Sequence, residues 1–317
     1  MYWYHYALII LGILIILYFC LSYDFYRKLL IRFNKRPKQL VDHNSVFYQS
    51  SYDWFTKIPK EDVYIRSYDS LKLHGIYLPS HDKNASNLAI VIHGYQSQAT
   101  DMIIIAKLYS DLGFKVLMID LRGHGESEGK FTSMGHYEKY DLKKWLNFSL
   151  RNYGANSNIL LHGVSMGAAM SMLVTELKIK NNLKYLVLDS GFTIFSKSLA
   201  YSLKNKLLKI FLPGVSVFTY MFHRYTLKGI APIKSIKRSN IPFLIIHGDQ
   251  DRLVPLAMAK ELYESSPTSK KDLLIIENAP HAKAFEINKD LVTKTIIADI
   301  SDIFNIKKSF IKNYDQN

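Results

Sequence analysis

The stretch Asn158-Ile159-Leu160-Leu161-His162-Gly163-Val164-Ser165-Met166-Gly167-Ala168-Ala169-Met170 decides how the rest of the chain is read. Its first half is an apolar run with the length of a buried strand. Its second half is small and compatible with a helix. Between them stands Gly-x-Ser-x-Gly, so the segment reads as strand, sharp turn, helix. A serine at such a turn is strained, and its hydroxyl projects above the sheet. Gly163 and Gly167 are expected where the strand and helix backbones come too close for a side chain. The five-residue pattern alone also occurs in loops, so the flanking residues carry the reading.

A serine hydroxyl is a weak nucleophile at neutral pH. It needs a histidine base, and the histidine needs a carboxylate to fix its tautomer and steady its positive charge. Two later stretches supply candidates. Ile241-Pro242-Phe243-Leu244-Ile245-Ile246 reads as a strand and runs into His247-Gly248-Asp249-Gln250-Asp251, a turn rich in acids. Asp272-Leu273-Leu274-Ile275-Ile276 reads as another strand, and its exit loop carries His281. Of the 11 histidines, few follow a late strand. Ser165, an acid of the 249–251 turn and His281 thus stand in a workable chain order.

Four motifs together resemble the α/β-hydrolase superfamily over residues from about 62 to 300. They are the Ser165 turn, His93-Gly94, Asp120-Leu121-Arg122-Gly123-His124-Gly125-Glu126-Ser127, and His247-Gly248-Asp249-Gln250-Asp251-x-x-Val254-Pro255. The likeness is greatest to the serine-hydrolase branch holding monoacylglycerol lipases, small-ester and cinnamoyl esterases and serine aminopeptidase-like proteins, and within it to bacterial membrane-anchored hydrolases. The resemblance implies an α/β fold: a mostly parallel eight-stranded sheet with helices on both faces and a helical cap insertion. It implies Asp251 as the triad acid beside Ser165 and His281, with Asp249 the runner-up acid or else a residue bonding the turn backbone, and Asp189 at a position that the triad acid occupies in some relatives. It implies an oxyanion hole from the backbone N–H groups of Met166 and of Tyr95, which follows the strand Asn87–Ile92. The Tyr95 hydroxyl either joins the site or packs. Asp120, Arg122 and His124 are expected to bond loop backbone, and His93, His162 and His247 to orient backbone.

A chain of 317 residues with 48% hydrophobic content fits one catalytic domain plus extensions. The expected division is an anchor over 1–25, a basic juxtamembrane linker over 26–60, core over 61–192, a helical cap over 193–240 and core again over 241–317. An antiparallel start is expected from 62–68 and 71–78, joined at Tyr68-Asp69-Ser70. A single cysteine, Cys20, excludes intrachain disulfides. The sequence has no ligand spacing for a metal and no glycine-rich phosphate loop, so no cofactor and no metal are expected.

Tyr2 to Tyr23 is a second strong signal: 22 residues without Asp, Glu, Lys or Arg. As a helix it would be about 33 Å long, enough to cross a bilayer core. Aromatic residues crowd both ends, as at membrane interfaces. The basic start and small-residue cleavage site of a signal peptide are missing, so a retained anchor is expected. Arg27, Lys28, Arg32, Lys35, Arg36 and Lys38 follow the run and no Lys or Arg precedes it. By the positive-inside rule the domain is then cytoplasmic, with an outer-face domain as the alternative.

The formal charge is +14, but the basic residues are dispersed and no nucleic-acid module is visible. Attraction to anionic lipid suits an anchored protein better. From Ser190 through Gly248 there are 59 residues with nine Lys/Arg, no Asp or Glu, and many interleaved aromatic and aliphatic residues. This is where the superfamily inserts its cap. Lys204–Leu212 is expected as an amphipathic helix stopped by Pro213-Gly214. Such a cap would cover the serine and face the membrane; the plainer alternative packs its apolar residues on the core. The expected activity is cleavage of a carboxylic ester or thioester of a hydrophobic, lipid-like acyl substrate. The alternatives are an aminopeptidase-like serine peptidase and a non-catalytic membrane scaffold.

Overall fold

A computed structural model describes residues 3–31 and 44–315. Its centre is one eight-stranded sheet: β1 (Glu61–Arg66), β2 (Lys72–Leu78), β3 (Asn87–Ile92), β4 (Lys115–Ile119), β5 (Asn158–Val164), β6 (Leu183–Asp189), β7 (Phe243–Gly248) and β8 (Lys271–Ile276). The spatial order is β1-β2-β4-β3-β5-β6-β7-β8. β1 and β2 form an antiparallel hairpin, and β2 joins β4 antiparallel. Every pairing from β4 to β8 is parallel. Parallel strands need cover on both faces, which is why the central strands are nearly continuous Val, Ile and Leu. The helices Glu138–Asn152, Met166–Leu173 and Leu256–Ser265 enclose one apolar layer. Ile103–Asp111 and Lys289–Phe304 enclose the other.

The strand order reverses direction between β3 and β5, and the crevice above such a switch point is where open α/β sheets hold ligands. The Gly94 and Ser165 turns leave these two neighbouring strands at the same end.

Between β6 and β7 lie the helices Phe195–Ser202, Leu212–His223 and Pro232–Ile236. Here the expected helix over Lys204–Leu212 is corrected. Lys206–Phe211 is a short 3-10 segment with no buried residue, and the α-helix begins at Leu212 instead of ending there. Pro213 sits in that helix's first turn, where its missing N–H costs no hydrogen bond and its fixed φ suits a helix start.

The apolar N-terminal run is a helix, Trp3–Leu30, of 28 residues. It is long and apolar enough to cross a membrane, with a mean hydropathy of 2.4 over its most apolar 18 residues. Its outer part is exposed, while Ser22, Tyr26 and Leu30, one side of its last turns, are buried. The expected linker over 26–60 therefore cuts a continuous helix. It also contains a second one, Val46–Lys57, capped where Ser45 Oγ accepts the Tyr48 N–H, with Tyr48 and Phe55 buried in the domain. Arg32, Lys35, Arg36 and Lys38 lie outside the described residues.

Candidate active site

β5 delivers Ser165 into a backbone conformation (φ 55°, ψ −109°) that side-chain-bearing residues rarely adopt. Sterics hold it there. A Cβ at Gly163 would lie 2.3 Å from the carbonyl carbon and oxygen of Gly167, and one at Gly167 would lie 2.3 Å from the Ile92 carbonyl oxygen. Both clashes are with backbone, so neither is relieved by a rotamer change.

Above the turn, Ser165 Oγ lies 2.8 Å from His281 Nε2, and His281 Nδ1 lies 2.6 Å from Asp251 Oδ2. The other carboxylate oxygen, Oδ1, accepts the N–H groups of Leu253 and Val254, each at 2.8 Å. Burial alone would raise the Asp251 pKa. The His281 bond and the two backbone donors outweigh it and hold the carboxyl below its ordinary value. An ionised Asp251 takes the Nδ1 proton as a hydrogen bond, which leaves Nε2 unprotonated and able to accept from the serine hydroxyl. Asp249, two residues earlier, is exposed on the turn. His247 braces the base of that turn, its Nε2–H donating to the Val254 carbonyl at 3.0 Å.

The β3 turn approaches the serine from the neighbouring strand. A Cβ on Gly94 would lie 3.3 Å from Ser165 Cβ, so this backbone passes directly over the elbow. Tyr95 follows it, and its hydroxyl donates to the Leu29 carbonyl at 2.6 Å. Met166 opens the helix after the serine.

The 120–127 loop is a brace. Asp120 accepts from the Ala99 and Glu126 N–H groups and pairs with His74 at 2.7 Å. His124 lies 2.9 Å from the Arg122 carbonyl and accepts the Gln96 N–H. Arg122 departs from expectation: it bonds no loop backbone but forks between the carboxylates of Asp141 and Asp69. Burial lifts the Asp141 pKa to about 6 despite this partner. His93 accepts the Leu121 N–H at 3.0 Å, whereas His162 meets the Tyr109 hydroxyl at 2.9 Å and no backbone group. Asp189 also acts indirectly. Burial lifts it to about 6, and it accepts from the Ser190 hydroxyl, which in turn accepts the N–H of Ala282 beside His281. Ser190 was not singled out by sequence, because no motif marks a residue that bridges two loops.

A cavity of about 390 Å³ opens over Ser165, walled by Met134, Phe192, Phe195, Leu199, Leu253 and, from the N-terminal helix, Leu29. Among the described residues no Asp or Glu lines it. Among the described residues no group of three or more His, Cys, Asp or Glu side chains is placed to hold a metal ion.

A mostly parallel sheet with a serine on the turn after its central strand, and a histidine and acid on turns after later strands, defines an α/β hydrolase. Residues 83–226 and 228–288 match the family described as serine aminopeptidase, S33, and the chain belongs to that family. It is 27% identical to the uncharacterized protein YqkD of Bacillus subtilis over 91% of this chain and 95% of that one. It is 25% identical to the monoglyceride lipase of Rattus norvegicus, over 68% of this chain and 80% of the lipase. Among solved structures, the Pyrococcus furiosus esterase Pf2001 superposes with a TM-score of 0.66 at 24% identity, covering 84% of this chain and 98% of the esterase, which shows the shared fold.

Proposed function

We propose that the protein is a membrane-anchored serine hydrolase that cleaves carboxylic esters or thioesters of hydrophobic acyl groups. The observation that carries this reading is the unbroken chain Ser165 Oγ, His281, Asp251 at the floor of an apolar, acid-free cavity. His281 takes the Ser165 proton as Oγ attacks the acyl carbon, and Asp251 steadies the imidazolium. The backbone N–H groups of Met166 and Tyr95 receive the negative oxygen; one such donor contributes about 2.7–4 kcal/mol to the transition state. The same proton passes to the leaving alkoxide or thiolate. Water, deprotonated by His281, then releases the acid and restores Ser165. None of these steps calls on a cofactor.

The relatives' names agree in chemistry: one is a monoglyceride lipase and one fold neighbour an esterase. The family's description favours peptides as a second reading. An aminopeptidase must bind a free ammonium, and the described lining of the cavity offers no carboxylate to pair with it. Hydrolysis of p-nitrophenyl butyrate and octanoate, set against leucine p-nitroanilide, separates the two. Ester turnover at least about 100-fold faster is expected, a difference of about 2.7 kcal/mol in barrier. Faster anilide turnover would reverse the assignment.

Membrane attachment is supported by the exposed helix from Trp3 to Leu21, about 28 Å long and close to a bilayer core in length. Leu207, Ile210, Val217, Tyr220 and Met221 of the cap are also exposed, next to Lys204, Lys206 and Lys209. The cap meets the helix at Tyr18, whose ring stacks on Phe211 with centroids 5.6 Å apart. This contact supports placing the cap near the point where the helix leaves lipid, where its greasy, basic face suits an anionic headgroup layer. The basic residues after the helix favour a cytoplasmic domain. Protease digestion of right-side-out vesicles tests this: a protected domain is expected, and a digested one would place it outside.

A further inference from the structure

We infer that the N-terminal helix is part of the substrate site: Leu29 sets the length of acyl chain accepted, and the Leu29 carbonyl, through the Tyr95 hydroxyl, holds the loop that supplies one oxyanion donor. This rests on reading Ser165 as the nucleophile.

A tether would need only a flexible joint to the domain. This helix is instead built in. Ser22, Tyr26 and Leu30 recur every four residues and form a buried stripe. The Tyr18 hydroxyl donates to the Ile210 carbonyl and accepts the Gly214 N–H, both at 3.1 Å. Gly214 lies so close that a Cβ there would stand 2.2 Å from Ser22 Oγ. Tyr26 Oη lies 2.7 Å from His223 Nε2. These contacts fix the helix against the cap over three turns.

The end of the helix is the decisive part. The last carbonyls of a helix have no partner within it and must find one elsewhere. Here the domain supplies them: the Thr132 N–H donates to the Leu30 carbonyl at 2.9 Å, and the Tyr95 hydroxyl donates to the Leu29 carbonyl at 2.6 Å. Tyr95 lies between Gly94, whose backbone crosses the serine, and Gln96, held at φ 62°. A loop with a residue in that left-handed region persists only where its surroundings pin it. The hydroxyl bond to the helix is one such pin, and it lies on the residue whose own N–H is proposed above as an oxyanion donor. Meanwhile the Leu29 side chain enters the cavity wall with Phe192, Phe195 and Leu199. An acyl chain growing away from Ser165 therefore meets the membrane helix as well as the cap.

The test uses the full chain in detergent, with p-nitrophenyl esters from two to sixteen carbons and a small fluorophosphonate probe. Leu29→Ala is expected to move the chain-length optimum to longer acyl groups, and Leu29→Trp to shorter ones. Tyr95→Phe keeps the ring and the backbone N–H but removes the pin; kcat is expected to fall about tenfold, or about 1.4 kcal/mol, with KM changed less than about twofold. A ring that only packed would lose stability and leave kcat in place. An unchanged chain-length profile in both Leu29 variants, with probe labelling intact, overturns the inference while leaving the hydrolase reading standing. Failure of the wild-type protein to label overturns both.

Discussion

Replacing Asp251 by Asn should leave the fold intact and reduce ester hydrolysis by about four orders of magnitude. The geometry says why. Asp251 Oδ1 accepts two backbone N–H groups, from Leu253 and Val254, while Oδ2 faces His281 Nδ1. An asparagine must keep its oxygen on the two backbone donors, since turning its NH₂ toward them would set donors against donors. The NH₂ then occupies the Oδ2 position and points at His281 Nδ1. Nδ1 has to become the acceptor, so the proton moves to Nε2, which lies 2.8 Å from Ser165 Oγ. The base is then protonated on the side where it must accept. In a serine protease triad the same change lowers kcat about 10⁴-fold, equivalent to about 5.4 kcal/mol. The assay is p-nitrophenyl butyrate hydrolysis by the wild-type and Asp251→Asn proteins, with thermal unfolding measured in parallel. A variant of native stability that retains more than about a tenth of the activity would refute the argument, and Asp251 would not be the residue that sets the tautomer.

Other consequences are equally concrete. Gly163→Ala places a Cβ against the Gly167 backbone and should cost about 3 kcal/mol or more, read as a lower urea midpoint; a loss below about 1 kcal/mol would mean the elbow can relax. Arg122→Met leaves the Asp141 and Asp69 carboxylates without their shared cation and should destabilise by about 3–5 kcal/mol, and restored stability in the Arg122→Met, Asp141→Leu double variant would identify the uncompensated charge as the cause. His162 is fully buried and its pKa is lowered to about 3, so it is neutral in the folded protein. The unfolded chain binds the extra proton between about pH 6.5 and 3, so this group's share of stability is lost as pH falls through that window. His162→Asn should flatten the acid side of the stability curve by up to about 1.4 kcal/mol per pH unit, whereas parallel curves would show that His162 takes up its proton without unfolding. Finally, Leu207→Ser with Ile210→Ser should slow hydrolysis of an ester embedded in anionic vesicles without affecting p-nitrophenyl acetate; equal rates on the vesicles would remove the cap from the lipid surface.

What the sequence made legible is what short-range sterics decide. The elbow can be read because Gly163, Ser165 and Gly167 clash or fit within one turn of chain, and the strands because parallel pairing demands nearly unbroken apolar runs. The chain order of Ser165, Asp251 and His281 was readable because each follows its own strand. The choice of Asp251 over Asp249 needed the family's pattern, since burial of one and exposure of the other depend on packing between distant loops. Arg122 was misread for the same reason: its partners Asp69 and Asp141 lie on a hairpin and a helix brought together only by folding. Pro213 reads as a stop signal and is a start, because a proline is tolerated at one end of a helix and the sequence does not say which end. Leu29 gave no signal at all, being one more aliphatic residue near an apolar segment. Only the packing of the helix stripe against the cap brings it to the cavity.

The most direct test of the hydrolase reading is covalent. The full-length protein in detergent is treated with a fluorophosphonate probe, which reacts with serines activated by a base, alongside Ser165→Ala and His281→Ala. Stoichiometric labelling of the wild type, none in Ser165→Ala and a strong reduction in His281→Ala is the expected result, with the modified peptide containing Ser165. Labelling that persists in Ser165→Ala, or a folded wild-type protein that does not label, would contradict it.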